Sequence, residues 1–297
     1  MGYSKPKETT AEELSLVPLP SYDGDTYTVI RHKFVIDAAK SLLNTHGFNI
    51  IKESYKSNHG SNVAQGIYQI ESTQDEELGM MFAWTNSYDK STRFQCGIGA
   101  YVFVCDNGMV KGDLSSYSRK HTGNADQEAF NHISSQVKEA NKHFTSLIKD
   151  KEALKQCYLD KRAQAELAGR LFLDNNLIDG SQIGCIKKEM TKPSYEYNAD
   201  LCNAWTFYNH VTHALKTAHP KSWISDQKKF HEFMTAELLS HKNLHNFDQT
   251  DENENKIELS DGRIIDELDA AEPMNELGND WDADEEAQDE VFGEFKI

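Results

Sequence analysis

Cysteine and proline are both scarce in this chain of 297 residues, five and six respectively. The cysteines, Cys96, Cys105, Cys157, Cys185 and Cys202, are odd in number, widely separated and without a C-x-x-C pair. That pattern excludes a disulfide framework and a thiolate zinc cluster, and it reads as a reduced, intracellular chain. No apolar run is long enough to span a bilayer. The start, Met1-Gly2-Tyr3-Ser4-Lys5-Pro6-Lys7, leads into polar sequence, so no secretory signal is expected, and Pro6 stands where a myristoylation signal wants Ser or Thr.

The usual catalytic fingerprints are missing as well. Gly97 and Gly99 lie inside an alternating apolar pattern, without the third glycine and following helix that a dinucleotide loop needs, so they read as packing positions. Neither a G-x-S-x-G elbow nor an H-E-x-x-H helix is present. The reading is of a protein that is not an enzyme and holds no cofactor or metal.

What the chain has in excess is negative charge, and it is unevenly placed. The formal net charge is −17, yet residues 248–297 hold 19 acidic and 3 basic residues, leaving 29 and 28 for the rest. A nearly neutral body lacks the overall basic balance that drives nonspecific phosphate binding.

Periodicity divides the body in two. Residues 1–22 combine charge and proline without a sustained period and read as a flexible, loosely attached arm. From 23 to 123 the pattern is β-rich. It offers a strand over Thr26–Ile30, a helix carrying Phe34, Ala38, Leu42 and Leu43 that Gly47 stops, and strands near Phe48–Ile51, Gly66–Ile70 and Met80–Trp84. Strict alternation from Phe94 to Val104 predicts a central strand. Asp106-Asn107-Gly108 then turns the chain into a return strand at Met109-Val110.

From 124 to 247 the period is helical. Phe130, Ile133, Val137, Ala140, Phe144 and Ile148 predict one long amphipathic helix, followed by helices over 161–173, 181–190, 203–218 and 223–239. Residues 248–297 are too acidic and too poor in apolar residues to form a core and read as disordered, punctuated by short apolar groups such as Ile257 and Ile264-Ile265. The expected fold class is α+β: an N-terminal, mostly antiparallel sheet with a helix, a C-terminal helical part and an acidic tail.

Three groups of residues invite a binding role. Arg119-Lys120-His121 and Lys187-Lys188 could contact anions or form a solvated face. His210 and His213 fall away from the apolar stripe of their helix, which places them on solvent or at an interface. Tyr195, Glu196 and Tyr197 sit in a turn-rich connector; such tyrosines either anchor a partner or fold down onto the body. Tyr195, Glu196, Tyr197, Arg119, Lys120 and His121 are the candidate partner-binding residues. Asp89, Asp106 and Asp113 read as turn and cap residues.

Three segments carry a family resemblance: Asn86-Ser87-Tyr88-Asp89, Cys105-Asp106-Asn107, and Ala204-Trp205-Thr206-Phe207-Tyr208-Asn209-His210-Val211-Thr212. Over roughly residues 25 to 245 the chain resembles the phage- and plasmid-encoded proteins grouped as domain of unknown function 932. In length it is also similar to the phage anti-defence proteins directed against Gabija. That resemblance implies a homo-oligomeric inhibitor in the host cytoplasm that wraps a host defence protein complex and keeps its nuclease from DNA. The alternative is a single-stranded DNA binding or annealing protein, since the acidic tail carries Asp289-Glu290-Val291-Phe292-Gly293-Glu294-Phe295, similar to partner-recruiting tips of such proteins. The neutral body weighs against it.

Overall fold

The computed structural model describes residues 6–21, 28–111, 124–197 and 199–248, two short strands beyond them, and side chains through residue 237. Residues 112–123, with Arg119, Lys120, His121 and Asp113, lie outside the described residues. The chain divides into two units, Met1–His241 and Lys242–Ile297.

In the first unit, period-2 patterning builds a six-stranded antiparallel meander. Its strands are β1 (Lys7–Thr9), β2 (Ile50–Ser57), β3 (Val63–Ile70), β4 (Leu78–Ser87), β5 (Gln95–Val102) and β6 (Gly108–Val110), in spatial order β1-β2-β3-β4-β5-β6. The described residues hold eight helices: α1 (Ala11–Ser15), α2 (His32–Thr45), α3 (Ala125–Lys138), α4 (Ala140–Lys155), α5 (Lys161–Leu173), α6 (Gly180–Thr191), α7 (Ala204–Leu215) and α8 (Trp223–Asp248). The antiparallel sheet and the helical C-terminal part are thus the α+β architecture expected from the periodicity.

Alternation along the strands gives the sheet two unequal faces. Tyr68, Phe82, Trp84, Ile98 and Ala100 point into the main core, where α2, α3 and α4 cover them. Met81, Ala83, Tyr101 and Val110 point the other way into a smaller cluster closed by Trp223 and Ile224 at the start of α8. Between β3 and β4 on the core face, Gly66 lets the Trp84 indole lie flat on the backbone: a Cβ there would stand 2.3 Å from the indole nitrogen, which donates to the Tyr68 hydroxyl at 3.1 Å. Gly66→Ala is expected to cost about 1–3 kcal/mol by displacing that ring. A lowered urea midpoint with altered near-ultraviolet dichroism of tryptophan checks it.

Several expectations need correction. Residues 7–15 are not a loose arm: β1 pairs with β2, and Thr10 and Glu13 form a capping box that seats the wholly buried Leu14. Of the strand expected over Thr26–Ile30, residues 28–30 are irregular, and the rest falls outside the described residues. The segment expected as a central strand is indeed interior to the sheet, as β5 between β4 and β6, and its neighbour β4 is buried at every position. Asp106, at φ 54°, takes the left-handed conformation in the turn before β6, rather than Asn107 or Gly108. Gly99 is a packing position, since a Cβ would meet the Met109 carbonyl at 2.4 Å.

The long helix expected from 124 to 148 is two helices, broken at Glu139. Buried Ile133, Val137, Ala140, Phe144 and Leu147 keep a 4-3-4-3 spacing straight through the break, so the apolar period carries no mark of it. In the second unit, β7 (Lys256–Glu258) and β8 (Ile264–Asp266) pair antiparallel with Ile257 opposite Ile265. Apolar punctuation in the acidic sequence thus marks a strand pair in a segment read as disordered.

Candidate partner-binding groove

The second face of the sheet is only partly covered, and its open part forms a groove of about 560 Å³. Alternation on β2 sends Lys52, Ser54 and Lys56 to this face, opposite Gln69, Ile67 and Gln65 of β3. Glu8 of β1 flanks them, directly across from Lys56. The far wall is Tyr101, Asp106 and Trp223, and the rim is Tyr195 with Lys216, the C-cap of α7. The chain joining α7 to α8 is tied to the sheet where Thr85 donates to the Pro220 carbonyl at 3.1 Å.

The groove's charges are arranged in pairs at one end and left single at the other. Asp106 accepts from Lys52 Nζ at 2.7 Å and from the Gln69 amide at 2.8 Å. Burial works to raise the Asp106 carboxyl, but these two donors hold it below the ordinary carboxylate range. Lys216 donates to the Cys105 carbonyl, and its ammonium lies 5.8 Å from the centroid of the Tyr195 ring. Burial, with smaller help from Lys56, pushes the Lys216 pKa down against the opposing pull of Cys105, Asp106 and Glu189.

Behind the rim lies a buried polar knot that joins two of the three segments carrying the family resemblance. The Asn107 amide donates to both the backbone carbonyl and the side-chain oxygen of Asn209 at 3.0 Å, and Asn209 donates in turn to the Trp205 carbonyl at 3.0 Å. Cys105 sits against the same Asn209, its thiol pushed up to about 11 by burial, so it is no nucleophile near neutral pH. The third segment is structural in the same way. Asn86 donates to the Ile30 carbonyl at 2.7 Å and meets His32 at 3.0 Å, while Tyr88 stacks on His32 at 3.9 Å.

Glu189 ties this knot to the connector. It is 4 % exposed and accepts from the Ser194 backbone N–H at 2.9 Å and from the Ser194 hydroxyl, which fixes the start of the loop bearing the tyrosines. The two outcomes open for that loop divide between its residues. Tyr195 faces outward at 38 % exposure and Glu196 is exposed, whereas Tyr197 folds down to 5 % and packs edge-on against His210 at 6.0 Å.

His210 is not on solvent, contrary to expectation, and His213 is only partly exposed. His210 is 1 % exposed with neither ring nitrogen hydrogen-bonded, 4.0 Å from Glu189, and His213 approaches Glu189 at 3.8 Å. The apolar stripe of α7 faces α4, but α6 and the connector cover its other side, so the helix is buried nearly all round. No group of three or more His, Cys, Asp or Glu among the described residues is placed to hold a metal ion.

A hydroxyl–imidazole–carboxylate chain also runs through the core. Tyr208 meets His231 at 3.2 Å, and His231 meets Asp150 at 3.1 Å. Tyr208 is wholly buried and its hydroxyl is pushed well above its ordinary pKa by burial, so this chain orders the packing of α4, α7 and α8 and offers no atom to a substrate.

Sequence reasoning missed Lys52, Lys56, Gln65 and Lys216. The alternating Lys52-Glu53-Ser54-Tyr55-Lys56 was the available signal, but a strand ending at Ile51 hid it. Lys216, at the C-cap of α7, comes beside Lys56 of β2 only when the chain is folded.

The class is therefore an α+β protein with a helix-covered antiparallel meander and an open groove on the opposite sheet face. The chain belongs to the family described as domain of unknown function (DUF932), whose model matches residues 21–257. That extent agrees with the roughly 25 to 245 over which the resemblance was expected. No curated protein and no solved structure matches the chain. No helix among the described residues is long and apolar enough to cross a membrane.

Proposed function

We propose that this chain is a phage accessory protein that acts by binding another protein, without chemistry of its own, and that its target is a host antiviral defence complex in the host cytoplasm. The observation that carries the binding reading is the groove. It has the exposed ring of Tyr195 on its rim, and its lining is of mixed sign, with Lys52, Lys56 and Lys216 against Glu8 and Asp106. A lining of mixed sign with an aromatic anchor fits a folded or extended polypeptide better than a polyanion. Gabija is the target that the sequence resemblance implies. Homo-oligomeric wrapping would hold the complex at many weak contacts at once and keep DNA from its nuclease.

The test is the light-scattering mass of the full chain alone and mixed with a purified Gabija complex, followed by that complex's DNA cleavage. A co-assembly heavier than either component, with cleavage lost, is the expected result. No association with undiminished cleavage removes this target.

A second reading, single-stranded DNA binding, is favoured by one observation: three lysines and Tyr195 share one groove, the residue types that track a phosphate backbone and stack on bases. It requires oligothymidylate affinity that falls steeply with salt.

A further inference from the structure

The groove contains two ammonium groups that have no direct ion-pair partner, although Glu8 stands across from Lys56 and the Asp106 and Glu189 carboxylates act on Lys216 from farther off. Lys52 is paired with Asp106 at 2.7 Å, and Glu53 with Lys40 at 2.7 Å. Lys56 reaches only the Lys216 backbone carbonyl, at 3.5 Å, and Lys216 only the Cys105 carbonyl and the face of Tyr195. Neither forms an ion pair among the described residues. Two neighbouring cations, one of them half-buried, repel each other, and an arriving anion relieves that repulsion. Gln65 supplies a second, independent observation. It is the direct cross-strand partner of Lys56, only 2 % exposed, and it lines the groove on the same face of the sheet.

We propose that Lys56, Lys216 and the Gln65 amide form a subsite for one carboxylate, presented by an Asp or Glu side chain of a partner polypeptide lying in the groove, with Tyr195 closing against its flank. This rests on the protein-binding reading above. A single acidic side chain fits better than a phosphodiester strand because Glu8 and Asp106 stand on the same walls. Successive phosphates would face those carboxylates, whereas a polypeptide can place a cation or hydroxyl beside its acidic residue.

The experiment uses the full chain and three fluorescein-labelled probes: a nine-residue peptide with one Glu between lysine flanks, the same peptide with Gln at the centre, and a nine-nucleotide oligothymidylate. Anisotropy titrations are run on the wild type and on Lys56→Met and Lys216→Met, with thermal midpoints recorded to confirm folding. If Lys216→Met fails to fold, Lys56→Met by itself decides. The expected result is roughly fivefold tighter binding of the Glu peptide than of the Gln peptide, a preference that either variant abolishes. Equal affinity for the two peptides, or no binding of any probe at millimolar concentration, overturns the proposal. So does tighter binding of the oligothymidylate that the same substitutions remove, which would assign the lysines to phosphate. The mass measurement with the defence complex tests the protein-binding target separately, so failure of the subsite and failure of that reading are seen apart.

Discussion

Lys151→Ala is expected to lower the unfolding free energy by about 3–5 kcal/mol, the range for removing one member of a buried ion pair. Lys151 lies on α4 with its side chain 4 % exposed, and its ammonium meets both oxygens of Asp75 at 2.8 and 2.9 Å, Glu77 at 3.2 Å and Glu152 at 2.9 Å. Glu77 keeps a second partner, Lys155, at 2.7 Å, and Glu152 is half-exposed to water. The cost therefore falls on Asp75. This carboxylate is 9 % exposed and also caps the turn into β4, accepting from the backbone N–H groups of Glu77 at 2.9 Å and Leu78 at 2.8 Å.

Without Lys151 the turn retains its two N–H donors but holds a buried charge with no counterion. Lys151→Met keeps the volume of the side chain and is expected to cost nearly as much, which separates the charge from the packing. Urea unfolding followed by tryptophan fluorescence reads both variants. A loss under about 1 kcal/mol would place the network in the class of solvent-screened surface pairs.

The second large effect is acid destabilisation between about pH 6.5 and pH 4. Burial pushes the His210 imidazole down to about 4 against the opposing pull of Glu189, and burial likewise pushes His132 down to about 4. In the unfolded chain both take up a proton below their ordinary value of 6.5. Within that window the unfolded state binds more protons than the folded state, so stability is fully present above pH 6.5 and falls as the pH drops towards 4. The loss is about 3 kcal/mol for each histidine on that shift. His210→Phe keeps a ring against Tyr197 and cannot titrate, so it is expected to remove roughly half of the pH dependence. The measurement is the urea midpoint of wild type and variant at pH 7 and pH 4.5. An unchanged slope in His210→Phe would show that His210 is protonated as readily in the folded protein as in the unfolded chain.

Both predictions depend on residues whose burial was not visible in the linear pattern. Lys151 is one of many lysines on an amphipathic helix, and nothing local distinguishes it from its exposed neighbour Lys149. It is buried because the turn between β3 and β4 carries Asp75 and Glu77 onto α4. His210 and His213 lie off the apolar stripe of α7, and a single helix seen alone would put them in water. The packing of α6 and of Tyr197 against that side of α7 overrides the stripe, since a helix covered on two sides is buried whatever its moment.

The two tyrosines of the connector show the same limit. Tyr195 and Tyr197 have the same side chain two positions apart, and a loop imposes no period that assigns one inward and the other outward. Glu189 and Ser194 decide it, by fixing the start of the loop so that Tyr197 falls against His210.

Composition and periodicity by themselves determined the α+β class, the strands β3, β4 and β5, the helices α2, α5, α6 and α7, and the concentration of negative charge after residue 247. These follow from local physics: side-chain alternation, helical spacing, stop residues and the number of acidic groups per apolar one. Tertiary structure alone decided that β1 belongs to the sheet, that β4 is buried along its whole length, that one apolar period is two helices, and that Lys56, Gln65 and Lys216 line a common groove. Those outcomes depend on which surfaces meet, and contacts such as Lys7 with Ser57 or Lys56 with Lys216 join residues too far apart in the chain to leave a trace in the spacing of neighbours.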